Sequence, residues 1–169
     1  MFRAIFATAL FLMIAPGTVA SAVPRWIHRS GWIVRALQAW PIQVAGAMLV
    51  VAGIIVLLDS FVRFAVEGLG TPAPAMPTRK LIVSGLYRHV RNPMYVAVVG
   101  LILGQALLWA DASVLIYGAC MWICFHLFVT LYEEPTLRRA FSQEYSAFQM
   151  NVPRWIPRLS PWPAGNVSH

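Results

Sequence analysis

Polar positions are rare in four stretches of the chain, residues 2–23, 40–66, 94–110 and 112–132. A helix needs about 20 mostly apolar residues to cross a bilayer, so each stretch is a candidate span. Only Asp111 separates the last two, which predicts a tight helical hairpin. A polar, Pro-rich segment, 68–93, lies between the second and third. Beyond Tyr132 a charged stretch predicts one more helix, ended by Pro153 and Pro157, because proline lacks the amide donor and clashes with the preceding turn. The expectation is an all-α integral membrane protein with about four transmembrane helices. It forms a single domain over residues 1–169: an N-terminal helix and extracytoplasmic loop (1–39), a core (40–158) and a tail (159–169).

Composition narrows this. Hydrophobic residues make up 59% of the chain and charged ones 11%, where a soluble domain carries about 25% charged residues. A soluble globular domain, a disordered chain and a disulfide scaffold are thereby excluded. The net charge of +7 would point to nucleic acid in a soluble protein. Here the arginines flank apolar runs, where membrane proteins keep them, and no nucleic-acid partner is expected. Cys120 and Cys124 sit in an apolar run and read as small hydrophobes, and no cluster has metal-ligand spacing.

The basic residues also set an orientation. Arg79, Lys80, Arg88, Arg91, Arg138, Arg139, Arg154 and Arg158 fall on the 68–93 loop and the tail, against Arg25, Arg29 and Arg35 on the 24–39 loop. This asymmetry places loop and tail in the cytoplasm, at an inner membrane. Residues 26–39 are expected to form an interfacial helix that carries the opposing arginines toward head groups. The first stretch has two readings. Arg3, the apolar run and Ala20-Ser21-Ala22 fit a cleaved signal, whereas the length of the run favours a retained helix.

Candidate chemistry lies at the polar residues near membrane depth. At 100° per residue His126, Thr130 and Glu133 share one helix face, and an ionisable residue inside a membrane helix faces a cavity or a partner. Glu134 stands four residues before Arg138, a favourable surface pair, so Glu133 is the glutamate left without a structural explanation. Asp59 and Arg63 form a similar pair at the end of the second stretch. The run from Lys80 to Tyr95 packs basic, aromatic and turn residues before a membrane helix, and Asn92-Pro93 reads as a helix start with Asn as cap. Tyr95 serves equally well as an interfacial anchor.

These blocks, in order, resemble a known family. Gly68-x-Gly70-Thr71-Pro72-x-Pro74, Leu81-x-x-x-Gly85-x-Tyr87-Arg88-x-x-Arg91-Asn92-Pro93-Met94-Tyr95, Glu133-Glu134-x-x-Leu137, Glu144-Tyr145 and Val152-Pro153-Arg154-x-Ile156-Pro157 are similar to the isoprenylcysteine carboxyl methyltransferase and phospholipid methyltransferase superfamily. The resemblance covers about residues 40–158. It implies a membrane-embedded transferase that uses S-adenosylmethionine to methylate a lipophilic or lipid-linked acceptor. The implied cofactor contacts are Lys80, Leu81, Ile82, Tyr87, Asn92, Pro93, Met94, Tyr95 and Glu133, in a site built from the cytoplasmic loop and C-terminal segment. Glu133, Arg91 and His126 are the implied catalytic groups, and Tyr145 and Arg154 match the tail that closes over the site.

Two departures stand out. The family commonly has His where Asn92 stands, although an Arg-Asn-Pro variant also looks like a familiar form. The isoprenylcysteine enzymes carry an arginine about one turn before the glutamates, where this chain has Val129 and Thr130, which weakens the case for a prenylcysteine acceptor. Two other classes remain as alternatives: an NADPH-dependent reductase of the sterol-reductase type, which shares the Gly-x-Tyr and Arg-x-Pro-x-Tyr blocks, and a non-enzymatic membrane subunit.

Overall fold

The computed structural model describes residues 16–66 and 81–163. Lys80, Arg79, the glycine-rich part of the 68–93 loop and most of the first apolar stretch lie outside the described residues. Within them every regular element is helical. A π turn, Thr18–Ala22, runs into a short helix α1, Val23–His28. α2 spans Trp40–Val66, α3 Pro93–Trp109 and α4 Ala112–Phe128. A second π turn, Val129–Glu133, joins α4 to α5, Glu134–Asn151.

Two helical stretches are long and apolar enough to cross a membrane, Trp40–Arg63 and Ala112–Asn151, while α3 is a shorter apolar helix. Only 17% of each apolar window is buried inside the protein. The outward faces carry Met48, Val51, Ile55 and Val62 on α2 and Ile116, Ile123 and Leu127 on α4, all exposed. An apolar surface of this kind is rare on a soluble monomer and is what lipid tails cover. Cys120 and Cys124 lie on this exposed surface. Trp26, Trp32 and Trp40 are also exposed, clustered at the start of α2 and the end of α1, as an aromatic belt requires.

Lipid gives helices no hydrophobic reason to associate, so close backbone packing must hold them together. α2 and α3 touch through glycines. A Cβ on Gly104 would lie 2.7 Å from the Gly46 carbonyl oxygen, one on Gly46 2.8 Å from that of Gly104, and one on Gly53 2.8 Å from Leu101. The core along this seam comprises Leu57, Phe61, Ala97, Val98, Leu101, Ile102 and Val114. The segment before α1 joins it. Ala20 is buried there, Gln105 donates to its carbonyl at 2.6 Å, and Tyr117 donates to the Val19 carbonyl at 3.0 Å.

The α3–α4 hairpin is as tight as expected. Ala110 adopts a left-handed conformation (φ 52°) and Asp111 caps α4, accepting from the Ser113 and Val114 amides. Asp111 also ties this end to the preceding loop. It accepts from His28 Nδ1 at 2.6 Å and from the Trp32 amide at 3.1 Å, while Val34 donates to Ala110 and Ala112 to Trp32. Gly31 is required there, since a Cβ would overlap the Asp111 carboxylate. The expected interfacial helix over 26–39 is therefore not continuous. α1 stops at His28, and the chain extends across the hairpin before a short 3₁₀ turn, Arg35–Gln38, because pairing with the hairpin satisfies its amides better than a helix would.

Burial alone would raise the Asp111 pKa, but the hydrogen bonds from His28, Ser113, Trp32 and Val114 outweigh it and hold the carboxyl below its ordinary value. Its contribution to stability is then fully present above about pH 4 and is lost as the pH falls through the lowered folded-state value. Acid unfolding in detergent should show this loss, and Asp111→Ala should be less stable at neutral pH by about 1–2 kcal/mol with a flatter acid limb. On the α2–α3 seam, Gly104→Leu should lower the melting temperature sharply. Gly100→Ala, where a Cβ meets nothing within 4 Å, should be neutral or stabilising by up to about 1 kcal/mol.

Candidate active site at the α3–α5 junction

Beyond the apolar part of α4 the chain makes two departures from a straight helix, and both position charge. The π turn Val129–Glu133 delays rotation by roughly one residue, about 100°. Side chains after it therefore align with those one residue earlier than a regular helix would give. Phe125 packs on Tyr95 (ring centroids 4.9 Å apart) and Glu133 meets the same residue, accepting from the Tyr95 hydroxyl at 3.0 Å. His126 and Glu134 both face the C-terminal segment instead, His126 through Trp155 and Glu134 through Arg154. The expectation that His126 and Glu133 share a face is thus corrected, because it assumed an unbroken α-helix.

The second departure is at Ser142, whose φ of 30° breaks α5. A straight helix would separate positions 134 and 149 by about 22 Å. Instead Gln149 donates to Glu134 Oε2 at 3.1 Å and accepts from Arg138 Nε at 2.9 Å, so the chain folds back at Ser142. Tyr145, Phe148, Val152 and Trp162 then form a second small core, with Leu81 and Val83 packed against it.

Glu134 sits at the centre of this junction. Arg154 grips it with two nitrogens, Nε to Oε1 at 2.6 Å and the second guanidinium nitrogen to Oε2 at 3.0 Å, and Arg91 donates to Oε1 at 2.9 Å. The Glu134 and Arg91 side chains are 9% and 11% exposed. The predicted Glu134–Arg138 pair does not form; Arg138 binds Gln149 instead. The glutamate that spacing explained away is the more heavily bonded of the two.

The tail from Val152 to Trp162 straps onto the segment before α3. Arg91 donates its amide to Pro153, Arg158 to His89 and Trp162 to Arg88, each to a carbonyl at 2.9–3.0 Å. Asn92 precedes α3, with Pro93 in its first turn, but its side chain makes no cap. It donates to the Arg154 carbonyl at 3.2 Å, so the cap role is corrected to one of fastening the strap. His126 accepts from the Trp155 indole N–H at Nδ1, 3.1 Å, and stacks on Trp122. A neutral imidazole that accepts at Nδ1 carries its proton on Nε2, so the ring is oriented by the strap.

Of the implied cofactor residues, Ile82, Tyr87, Asn92 and Pro93 are buried. Tyr87 hydrogen-bonds Ser60 of α2. Burial, with the Glu133 charge adding to it, holds its hydroxyl neutral well above the ordinary tyrosine range. Arg63 pairs with Asp59 through both carboxylate oxygens (2.9 and 3.0 Å) and also reaches Ser84 at 3.3 Å. Its guanidinium lies where a Cβ on Gly85, at φ 49°, would stand. The Asp59–Arg63 pair expected from its spacing therefore forms and also fastens the loop to α2. Tyr87, Tyr95 and Glu133 come together at this end of the bundle. Arg91 and His126 lie on the strap side, joined to them through α3 and the π turn. Sequence reasoning missed Gln149 and the central place of Glu134, for which only the chain reversal at Ser142 supplies a signal.

A helical membrane protein with a buried glutamate beside a half-buried one at one end of its apolar bundle, under a C-terminal strap, is thus defined. The phospholipid methyltransferase family matches residues 42–144, more than half of the 169-residue chain, and the chain belongs to that family. No curated protein matches it.

The Glu134 network gives a direct test. Removing one partner of a buried ion pair costs about 3–5 kcal/mol, here with two guanidiniums left facing each other. Glu134→Gln should lower the thermal midpoint in detergent by many degrees, while Glu133→Gln should leave it nearly unchanged.

Proposed function

We propose that the protein transfers a methyl group from S-adenosylmethionine to a lipophilic or lipid-linked acceptor at the membrane. Membership of a methyltransferase family supports the reaction class. The observation that carries the reading is the half-buried Glu133 carboxylate. Tyr95 holds its Oε2, and Oε1 makes no hydrogen bond among the described residues.

That donor set suits the cofactor. A carboxylate with one oxygen fixed and one open accepts from a ribose diol or an ammonium and offsets a positive sulfur. The family resemblance adds Tyr87, Asn92 and the start of α3 to the same set of cofactor contacts, with Ile82 and Met94 as apolar neighbours. The cofactor supplies an electrophilic methyl group on a sulfonium. The chain's own task is then to bind, orient and exclude water, since methyl transfer needs in-line approach more than acid–base help. Tyr95 keeps Glu133 in one rotamer. The strap, held by Glu134, Arg91 and Asn92, shields the site from bulk water. The apolar outer faces of α2 and α4 let an acceptor arrive from the bilayer.

In this reading the chain crosses an inner membrane about four times, with the site on the cytoplasmic side, and Arg91 and His126 position the strap against it. The acceptor remains a class, a lipid or lipophilic nucleophile; Val129 in place of an arginine does not favour a prenylcysteine carboxylate.

Thermal stabilisation of the purified protein in nanodiscs tests this. S-adenosylmethionine and S-adenosylhomocysteine should stabilise it and NADPH should not. Glu133→Gln should weaken cofactor affinity about tenfold or more, the loss of a charge-assisted hydrogen bond, with its unliganded midpoint unchanged. Stabilisation by NADPH alone would sink the proposal.

A further inference from the structure

Beside the Glu134 network lies an open depression of about 450 Å³ lined by Arg91, Arg138, Ser146, Gln149, Met150 and Arg154. Three guanidiniums share it; Glu134 is bonded to two of them, Arg91 and Arg154, and offsets a single charge, while Arg138 binds the neutral Gln149, so the surface keeps an excess of positive charge. Arg91 Nε is buried and has no hydrogen-bond partner among the described residues. A buried N–H donor without an acceptor is costly to maintain. Ser146 and Gln149 add hydrogen-bonding groups, and Arg offers the fork geometry that suits phosphate oxygens.

The position of the depression narrows the anion further. Arg138 follows the last apolar residue of the α4 run, Tyr132, by about 9 Å of helix rise, in the layer where head groups begin. Leu131 in the π turn and Met150 in α5, 74% and 81% exposed, put apolar surface on the helical stretch that carries Arg138. Cationic forks next to exposed apolar side chains fit an amphiphile better than a free ion.

We propose that this depression binds a phosphate-type anion, supplied by the head group of an anionic membrane lipid. The lipid docks against Arg138 and Arg154, with its chains along the exposed apolar side of the π turn and α5. Occupancy there steadies the fold-back at Ser142 and hence the strap. The site lies apart from Glu133 and Tyr95, so the inference does not depend on which cofactor they hold.

The test uses the full chain in detergent, measuring thermal midpoint and affinity with phosphatidylglycerol, with phosphatidylcholine as the zwitterionic control, and with inorganic phosphate alone. Phosphatidylglycerol should stabilise the protein more than phosphatidylcholine does. Arg138→Gln should weaken that binding about tenfold, the loss of one charge-assisted contact, while Arg139→Gln, whose side chain does not line the depression, should not. Inorganic phosphate should show the same dependence on Arg138 only weakly; equal strength in the two arms would overturn the lipid as source in favour of a free anion. No preference for the anionic lipid, or equal loss in both variants, would overturn the site itself. Displacement of the lipid by S-adenosylhomocysteine would also overturn it, since the depression would then be an arm of the cofactor site. A measurement at raised salt, where an arginine–phosphate contact weakens, adds a readout that a purely structural role for Arg138 would not move.

Discussion

A single carboxylate, Glu134, holds the membrane bundle and its C-terminal segment together. Two guanidiniums converge on it from distant segments, Arg91 just before α3 and Arg154 just after α5, and Gln149 adds a fourth side chain. A buried ion pair is weak evidence for stability in its own right, because desolvation can cancel the attraction. Its effect here is on geometry. With Arg154 fixed, the strap must run alongside residues 88–92, and the backbone hydrogen bonds between those two segments follow.

The π turn at Val129–Glu133 explains why two adjacent glutamates serve different ends. In a regular helix they would differ by 100° and His126 would line up with Glu133. The extra residue in the turn moves Glu133 onto the Phe125 face, toward Tyr95, and Glu134 onto the His126 face, toward the strap. π turns are often found at functional sites, and this one separates a carboxylate that can meet a ligand from one that fastens the fold. The geometric partition has a chemical consequence: among the described residues one Glu133 oxygen has no hydrogen bond, while both oxygens of Glu134 are occupied.

The two ends of the bundle are built on different logic. At the end near Trp26, Trp32 and Trp40, Asp111 closes the α3–α4 hairpin and gathers His28 and Trp32 around a fully buried carboxylate. Between the ends, glycine contacts let α2 and α3 approach to backbone distance. At the other end, charges are grouped in networks, Asp59–Arg63 with Ser84 and Glu134 with Arg91 and Arg154. This rigid middle, with polar fastenings at both edges, is what holds the site residues in place while the outer faces stay free for lipid.

The class of the protein is written in its apolar runs. Runs of apolar residues as long as a bilayer is thick have only helical solutions in lipid, so the all-α architecture, the Asp111 hairpin and the helix end before Pro153 were legible. The identity blocks around Tyr87, Asn92 and the two glutamates were legible too, because they are local strings. What each residue touches was not. The Glu134–Arg138 spacing allowed a pair that did not form, since two buried guanidiniums from distant segments offered stronger partners. Asn92 read as a cap but bonds to Arg154, and the 26–39 segment read as a helix but pairs with the hairpin. Each of these outcomes turned on the π turn, the reversal at Ser142 or a contact across more than forty residues. Only the tertiary structure decides these, because helical periodicity is a local rule and the partners that override it are brought together by the fold.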